Sequence, residues 1–337
     1  MTAPVNEPFL AVTPPAARRS NLLLAPAMIA SLGLGILAPA IVSSPLMLTL
    51  MTQAVIGAVL ATGVGFLMRQ NGVASFGHAA FFGLAAYIVA LNGKFGLMPT
   101  EAAILLAVVL PAILAFVAGL GIVRLPALAF SMLTLAVAQA LHEIFLRWRE
   151  LASGDDGMAV RLPSTLFGLD VAVFQRPASM FVVCWSVLVL IIGVLWLIAR
   201  SHFGLLTIAI RENEERARYI GHETVLPRAL TYSLSAAVAA LGGVLFVLYN
   251  AFVTPETLDW SLSGEGLIMA VIGGARVIWG PALGAIIFFI FKDAAGDFTE
   301  HWQAIIGMTF ILVTVWAPNG VSGLLFHLVS KLKARAR

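Results

Sequence analysis

The sequence predicts an all-α polytopic membrane protein, a bundle of about ten transmembrane helices with about eight as the lower limit. Composition, the continuity of the apolar runs and the placement of charges carry this prediction. Of the 337 residues, 60% are hydrophobic and only 11% are charged, and the mean hydropathy is +0.98. Soluble domains carry about a quarter charged residues, so a soluble enzyme is excluded. A net charge of only +3 excludes a nucleic-acid-binding chain.

Ten continuous apolar runs occupy most of the chain, and each is close to the roughly 20 residues that a helix needs to cross a bilayer. Continuous runs indicate helices, because membrane strands alternate apolar and polar residues. The runs cover residues 22–42, 46–67, 73–91, 101–123, 126–146, 178–199, 229–250, 263–278, 281–298 and 302–317. The eighth run is short and rich in glycine, so it is either a full crossing or a re-entrant half-helix.

The connecting segments divide the basic residues unevenly between the two sides of the membrane. With the N terminus in the cytoplasm, six of the 20 basic residues lie on the outer side and the other fourteen on the inner side. This is the positive-inside bias, so we expect both termini in the cytoplasm. Residues 1–20 are predicted to form a flexible cytoplasmic tail, residues 21–326 the transmembrane domain, and residues 327–337 a basic cytoplasmic tail.

The chain lacks the sequence signals of a metal site and of a nucleotide site. A single cysteine, Cys184, excludes a disulfide framework and any cysteine-based metal site. The only Gly-Lys pair is Gly93-Lys94, which is followed by Phe95 rather than Ser or Thr, so there is no P-loop to hold nucleotide phosphates. We therefore expect no metal, no bound cofactor and no ATP hydrolysis by this chain.

Two long hydrophilic segments interrupt the apolar pattern, 147–177 on the outer side and 200–228 on the inner side. Within the inner segment, good helix formers at 210–220 followed by Gly221 predict one short helix that ends at this glycine. Its first turns carry the acidic residues that a helix dipole favours there, Glu212, Glu214 and Glu215. This helix either docks into a protein groove, lies in the lipid interface or belongs to a solvated loop.

Five motifs, in this order along the chain, resemble those of one membrane protein family. They are GVASFGHAAFFGLAAYIVA (72–90), SGDDGM (153–158), AIRENEERARYIG (209–221), SGEGLIMAVIGGARVIWGPALGA (263–285) and APNGVSGLL (317–325). The resemblance is to the permease subunits of branched-chain amino acid ABC importers, closest to the longer of the two paired permeases, and it extends over roughly residues 45–325. Asp155 departs from the pattern, because the family motif has Gly, Ser or Thr there.

The resemblance implies a multi-pass permease of the bacterial inner membrane that imports branched-chain amino acids or similar small solutes by ATP-driven alternating access. The implied partners are a second permease subunit, two ATPase subunits that use ATP and Mg, and a periplasmic solute-binding protein. The same architecture also serves urea and short amides. A proton-coupled secondary transporter is the alternative from another class, and it would need an acidic relay in the membrane, for which Lys292, Asp293 and Asp297 are the candidates.

The predicted inner helix is, on this resemblance, the element that couples the permease to its ATPases. Salt bridges at its rim and small residues for close packing are expected from Arg211, Glu212, Asn213, Glu214, Glu215, Ala217 and Gly221.

Polar residues within the apolar runs are candidates for the translocation pathway, because charged and polar groups inside a bilayer are costly. They are Ser75, Gly77, His78, Ser131, Thr134, Gln139, Ser263 and Glu265. Four of them have an alternative reading: His78 bonds a neighbouring helix, Ser131 and Thr134 bond backbone carbonyls, and Glu265 is solvated or caps a helix. Asp297 is spaced to neighbour either Lys292 or Asp293, and an ion pair that holds the outer half together is expected there. No constellation that binds a carboxylate or an ammonium group is evident in the runs, which predicts a lightly polar pathway.

The outer segment contains Gly154, Asp155, Asp156 and Gly157, a pattern typical of a tight turn, near the expected docking site of the binding protein. A similar glycine-rich pattern at 72–88 and 274–290 suggests a parallel internal repeat. Such a repeat predicts equivalent positions for Gly77 and Gly280.

Overall fold

The computed structural model describes residues 17–42, 44–298, 304, 307–308, 310–311 and 320–323. Its longer helices are α1 (Ala17–Ile41), α2 (Pro45–Asn71), α3 (His78–Phe95), α4 (Thr100–Ile122), α5 (Ala127–Arg147), α8 (Pro177–Arg200), α11 (Val225–Asn250) and α13 (Gly280–Phe298). Shorter helices are α6 (Arg149–Ala152), α7 (Ala172–Gln175), α9 (His202–Glu212), α10 (Glu214–Tyr219) and α12 (Trp260–Gly273). The predicted helical class is thus confirmed.

Nine of the ten predicted apolar runs fall on helices within the described part of the chain, while the tenth, 302–317, falls largely outside it. Five described helices are both long and apolar enough to cross a membrane, namely α2, α4, α5, α8 and α11. The eighth run corresponds to the short helix α12, which has only 14 residues. At 1.5 Å per residue its length is about 21 Å. The number of crossings, the sides of the termini and the repeat stay predictions.

Two helices form the centre of the bundle. Most of α2 and α11 is buried, and each packs against α3, while α4 lies on α11 and α13 lies on α2. By contrast, α4 and α5 present apolar side chains outward, including Leu105, Val117, Leu128 and Met132. An outward apolar face is stable against lipid or against another membrane subunit.

Contacts along α2 define two ends of the bundle. At one end Gln70 and Asn71 contact Thr207 of α9 and the backbone of Arg228 in α11. At the other end Gln53 bonds Asn250 at the end of α11, which leads to the strand β4 (Phe252–Val253). These are called the α10 end and the β1 end below.

The outer segment 147–177 contains short β-strands as well as a turn. At the β1 end, β1 (Met158–Ala159) pairs antiparallel with β4 (Phe252–Val253), and Met158 faces Val253. A small hairpin joins β2 (Thr165–Leu166) to β3 (Leu169–Asp170). The pairing of β1 with β4 attaches the segment to the chain that follows α11.

Helices α12 and α13 approach each other through glycine. A methyl group built on Gly284 of α13 would lie 2.5 Å from the nitrogen and 2.8 Å from the Cα of Gly273 in α12. Only hydrogen fits in that space, so glycine at this position sets the separation of the two helices.

Candidate functional site

The predicted inner helix at 210–220 is broken in two, so the prediction of a single helix is wrong. Asn213 has an extended backbone (φ −159°, ψ 98°) that ends α9, and its Oδ1 accepts a hydrogen bond of 2.8 Å from the Arg216 N–H. A short polar side chain that satisfies a free N–H is a strong helix start. Glu212 therefore closes α9, while Glu214 and Glu215 occupy the first turn of α10 as the dipole favours.

Gly221 ends α10, as predicted, for a conformational reason. Its φ is +90°, which places it in the left-handed region. Its N–H donates to the Arg218 carbonyl at 3.0 Å, and the His222 N–H donates to the Ala217 carbonyl at 3.1 Å. This is the usual glycine termination of a helix.

Most charged groups of the helix pair are engaged within the chain. Glu214 accepts from Arg218 at 2.9 Å, from Arg228 at 2.8 Å and from the Thr224 hydroxyl at 3.0 Å. Glu214 thus holds α10 to the first turn of α11, across an ion pair whose Arg228 side chain is only 12% exposed.

Arg211 holds the other helix of the pair. It forms an ion pair with Glu212, and its Nη1 donates to the Arg69 carbonyl at 2.6 Å. This contact attaches α9 to the end of α2. Glu215, by contrast, is exposed, and the described residues give it no ion-pair partner.

Ala217 was expected to let this helix seat closely against a partner, and that contact stays a prediction. It is only 4% exposed and faces its own chain, so its small side chain lets α10 pack onto the rest of the protein. The large apolar side chains exposed at the end of α10 are Tyr219 and the following Ile220, which are 89% and 70% exposed.

A groove of about 810 Å³ runs between α9 and α10, called the α9–α10 groove. Apolar side chains provide much of its surface, and charged groups lie at its rim. Its lining includes Phe203, Leu205, Ala209, Glu212, Arg216 and Ile220. An open apolar groove with a charged rim can accept a segment of another protein.

Several predicted pathway residues meet at the break between α2 and α3, where they hold the backbone. The Ser131 hydroxyl donates to the Ala74 carbonyl at 2.7 Å. The Phe76 N–H donates to Thr134 Oγ1 at 3.2 Å. Ser75 Oγ accepts from the Gly77 N–H at 3.2 Å.

Two further contacts join this break to α11 and α12. Ser263 Oγ accepts from the Ala79 N–H at 2.7 Å. His78 Nε2 lies 3.0 Å from Ser235 Oγ, which is the neighbouring-helix bond given above as an alternative. Gln139 does not join this group, and its buried Oε1 has no hydrogen-bond partner among the described residues.

We predict that Thr134→Val destabilises the protein by about 1–3 kcal/mol, because the Phe76 N–H loses its acceptor in a site where Thr134 is buried. Thermal unfolding of the purified chain measures the effect. Thr165→Val is the matched control, since Thr165 is exposed. Equal unfolding temperatures for the two variants would show that the Thr134 hydroxyl does not support the break.

A cavity of about 390 Å³ opens between α2, α11, α12 and α13, called the α12–α13 cavity. Polar side chains surround it toward the β1 end: Gln53, Thr254, Glu256, Ser261, Glu265 and Lys292. Apolar side chains form its floor: Ile56, Leu60, Phe82, Phe246, Met269 and Phe289. Of the predicted pathway residues, Glu265 is the one that lines it.

The charged pair at this cavity joins two helices. Lys292 Nζ lies 3.1 Å from Glu265 Oε1 on α12, and the predicted pairing with Asp297 involves a side chain outside the described residues. Asp293 is exposed. Glu265 and Lys292 are 27 positions apart in the sequence, and the expected absence of a constellation that binds a carboxylate or an ammonium group stays a prediction.

The predicted external turn is present at the β1 end. Gly154–Asp156 form a short 3₁₀ turn, and Asp155 and Asp156 are exposed. Gly154 and Gly157 have φ values of +63° and +68°. These positive angles favour glycine and leave the two carboxylates pointing away from the bundle.

Comparison with known proteins identifies the family. The family model described as "Branched-chain amino acid transport system / permease component" matches residues 46–314. No solved structure matches the chain.

Curated relatives agree with the family model. The high-affinity branched-chain amino acid transport system permease protein LivM is 23% identical in Salmonella typhimurium and 24% in Escherichia coli, over 80% of this chain and 68% of each relative. The autoinducer 2 import system permease protein LsrC of Yersinia pestis is 27% identical over 68% of this chain and 62% of that protein. The chain is therefore a multi-pass membrane transport subunit that belongs to the family of branched-chain amino acid transport system permeases.

Proposed function

We propose that this chain is the permease subunit of an ATP-driven importer in the bacterial inner membrane, and that it moves branched-chain amino acids or similar small solutes inward. The observation that carries the proposal is the helix pair α9 and α10 at one end of the bundle, with an open groove between them. A permease without a P-loop needs a surface on which a separate ATPase can dock. The α9–α10 groove has the size and the chemistry of such a docking surface.

In this proposal α10 is the coupling helix, and two ATPase subunits that use ATP and Mg dock on the α10 end. Tyr219, Ile220 and Glu215 are outward and unused by the chain itself, which leaves them for the partner. Glu214 and Arg211 attach the helix pair to α11 and α2. Movement of the ATPases would then shift the permease between inward-open and outward-open states. The free energy of this shift is no larger than the difference in ATPase binding energy between the two states.

The β1 end faces the periplasm in this orientation. There the turn at Gly154–Asp156 presents two exposed carboxylates toward the solute-binding protein. A second permease subunit completes the transmembrane pathway, and the outward apolar faces of α4 and α5 are available to lipid or to that subunit.

The solute is proposed from the relatives, whose names refer to branched-chain amino acids and to autoinducer 2. Both are small polar molecules. Branched-chain amino acids are favoured because the family model and the LivM relatives agree on them, while urea and short amides stay alternatives within the same architecture.

Co-purification from the native membrane tests the proposal. The tagged wild-type chain should retain an ATPase and a second permease, and the double variant Glu215→Lys/Ile220→Asp should lose the ATPase alone. Both side chains are exposed, so the substitutions leave the chain's own contacts intact. Glu223→Lys is the control, because it repeats the Glu→Lys substitution at an exposed residue that, unlike Ile220, lies outside the α9–α10 groove.

A wild-type chain that purifies alone and transports solute in proteoliposomes without ATP would overturn the proposal in favour of a secondary transporter. Loss of the ATPase from the Glu223→Lys control as well would show that the groove is not the docking surface.

A further inference from the structure

The α12–α13 cavity carries opposite charges at its mouth and none at its floor. Lys292 and Glu265 form the ion pair at 3.1 Å, with side chains 34% and 26% exposed. A second carboxylate, Glu256, lines the same cavity and is itself exposed. The mouth therefore presents one ammonium group and two carboxylates to whatever enters.

This ion pair has little value as a device for stability. A half-buried pair loses much of its attraction to desolvation, and apolar residues of similar volume often hold two helices equally well. Charges within a membrane bundle usually mark a binding or transport site. The aromatic neighbours of Lys292 also favour a binding role for this charge. The ring centroids of Phe288 and Phe289 lie 5.8 and 6.0 Å from Lys292 Nζ, within the range of a cation–π contact.

The remainder of the cavity selects by shape and polarity. Its volume of about 390 Å³ is at the small end of the roughly 300–1,000 Å³ typical of ligand pockets. The floor consists of aliphatic, aromatic and methionine side chains, including Leu60, Phe246 and Met269. A ligand that satisfies both parts is small, carries a positive and a negative group together, and ends in an apolar side chain.

We propose that the α12–α13 cavity is a binding site on this chain for a zwitterionic solute, an inference that rests on the proposed function. The solute carboxylate binds Lys292, its ammonium group binds Glu265 and Glu256, and its apolar side chain lies on the floor. Binding exchanges partners: each member of the ion pair gives up the other and takes the solute group of opposite charge. Because Glu265 is on α12 and Lys292 is on α13, this exchange also releases a link between those two helices.

Uncharged or singly charged solutes cannot make the same exchange. An amide or urea would separate Lys292 from Glu265 and would leave the Glu265 carboxylate, 26% exposed, without a compensating charge in a partly buried site. The site therefore discriminates against such solutes whatever the binding protein delivers.

Cysteine labelling of the full-length chain in native membrane vesicles tests the site. Ser261→Cys places a thiol on the cavity lining at an exposed position, while the natural Cys184 is fully buried. An uncharged methanethiosulfonate reagent should label position 261, and L-leucine should slow this labelling. Leucinamide, which lacks the carboxylate, and 4-methylpentanoate, which lacks the ammonium group, should not. Thr165→Cys, exposed at the same end but outside the cavity, should be labelled at one rate throughout.

Charge-removing variants then identify the groups. In the Ser261→Cys background, Lys292→Met and Glu265→Gln should each raise the leucine concentration needed for protection by about tenfold, the loss expected for one charged hydrogen bond. Lys292→Arg should restore most of the protection, which also shows that the protein folds with a changed side chain at this position.

The outcomes separate this inference from the proposed function. Protection by leucine that survives both charge-removing variants, or equal protection by leucinamide, would overturn the zwitterion site. The zwitterion site would also be overturned if leucine gave no protection while the vesicles took up solute with ATP. In that case the proposed importer function would stand. Protection that follows the pattern above without any ATP dependence of uptake would support the site and overturn the ATP-driven mechanism.

Discussion

Replacing Gly284 by valine is expected to separate α12 from α13 and to prevent recovery of a folded permease. A Cβ at this position would lie 2.5 Å from the Gly273 nitrogen and 2.8 Å from the Gly273 Cα. Backbone atoms of a packed helix cannot rotate away as a side chain can, so the helices must move apart. We expect a destabilisation of about 3 kcal/mol, the upper part of the usual range for overpacking. The unfolding temperature and the yield of monodisperse protein in detergent measure it.

Gly296→Val provides the matched control on the same helix. A Cβ at Gly296 meets nothing within 4 Å in the part of the chain that the structure describes, so the substitution adds the same side chain without a clash there. Its unfolding temperature should lie close to that of the wild type. If Gly284→Val were as stable as Gly296→Val, the close approach of α12 and α13 would not be a feature of the folded protein.

The second large effect is expected from Glu214→Ala, which should uncouple ATP hydrolysis from transport. The substitution removes the partner of Arg228, whose side chain is 12% exposed, and releases α10 from the first turn of α11. Breaking a buried pair costs about 3–5 kcal/mol, and because Glu214 is itself 35% exposed we expect less, about 1–2 kcal/mol. In the complete importer, uptake per ATP hydrolysed should fall by about tenfold, while the ATPase still co-purifies.

Glu215→Ala is the control for this experiment, since it removes the adjacent carboxylate, which has no ion-pair partner in the described chain. That variant should keep its coupling ratio, and any effect should appear as weaker association with the ATPase. Equal coupling ratios for the two variants would contradict the role given to the Glu214–Arg228 pair.

The helical elements were predictable because continuous apolar runs leave the backbone few alternatives in a membrane. The run at 46–67, for example, lies within α2, whose helix continues to Asn71. The composition of a run does not reveal where polar flanking residues join a helix. The short α12 was also anticipated from its glycine content, although the sequence could not tell a short helix from a full crossing.

The break at Asn213 was missed, although a signal was present. Asn followed directly by Glu214 and Glu215 is a typical helix start, with a capping side chain and acidic residues in the first turn. The strong helix formers on both sides concealed it, since propensity averaged over a window does not register one capping residue.

The charged pair at the α12–α13 cavity could not have been found by local spacing. Within one helix, residues about one turn apart come together, and that rule directed attention to Asp297, which is five positions from Lys292 and four from Asp293. Glu265 and Lys292 meet because α12 and α13 fold back against each other. The same is true of Ser131 and Thr134, whose hydroxyls bond a chain segment more than 50 residues away.

The position of α2 has a consequence for the time course of transport. One end of this helix bonds Thr207 through Gln70 and receives Arg211 on its last turn, while Gln53 near its other end lines the α12–α13 cavity. With 27 residues it is about 40 Å long and, as an unbroken helix, resists shortening. A displacement of α9 that keeps these bonds therefore moves the cavity wall at the same moment. The movement of α9 and the movement of the cavity wall would have no measurable delay between them, because no series of side-chain rearrangements has to occur along α2.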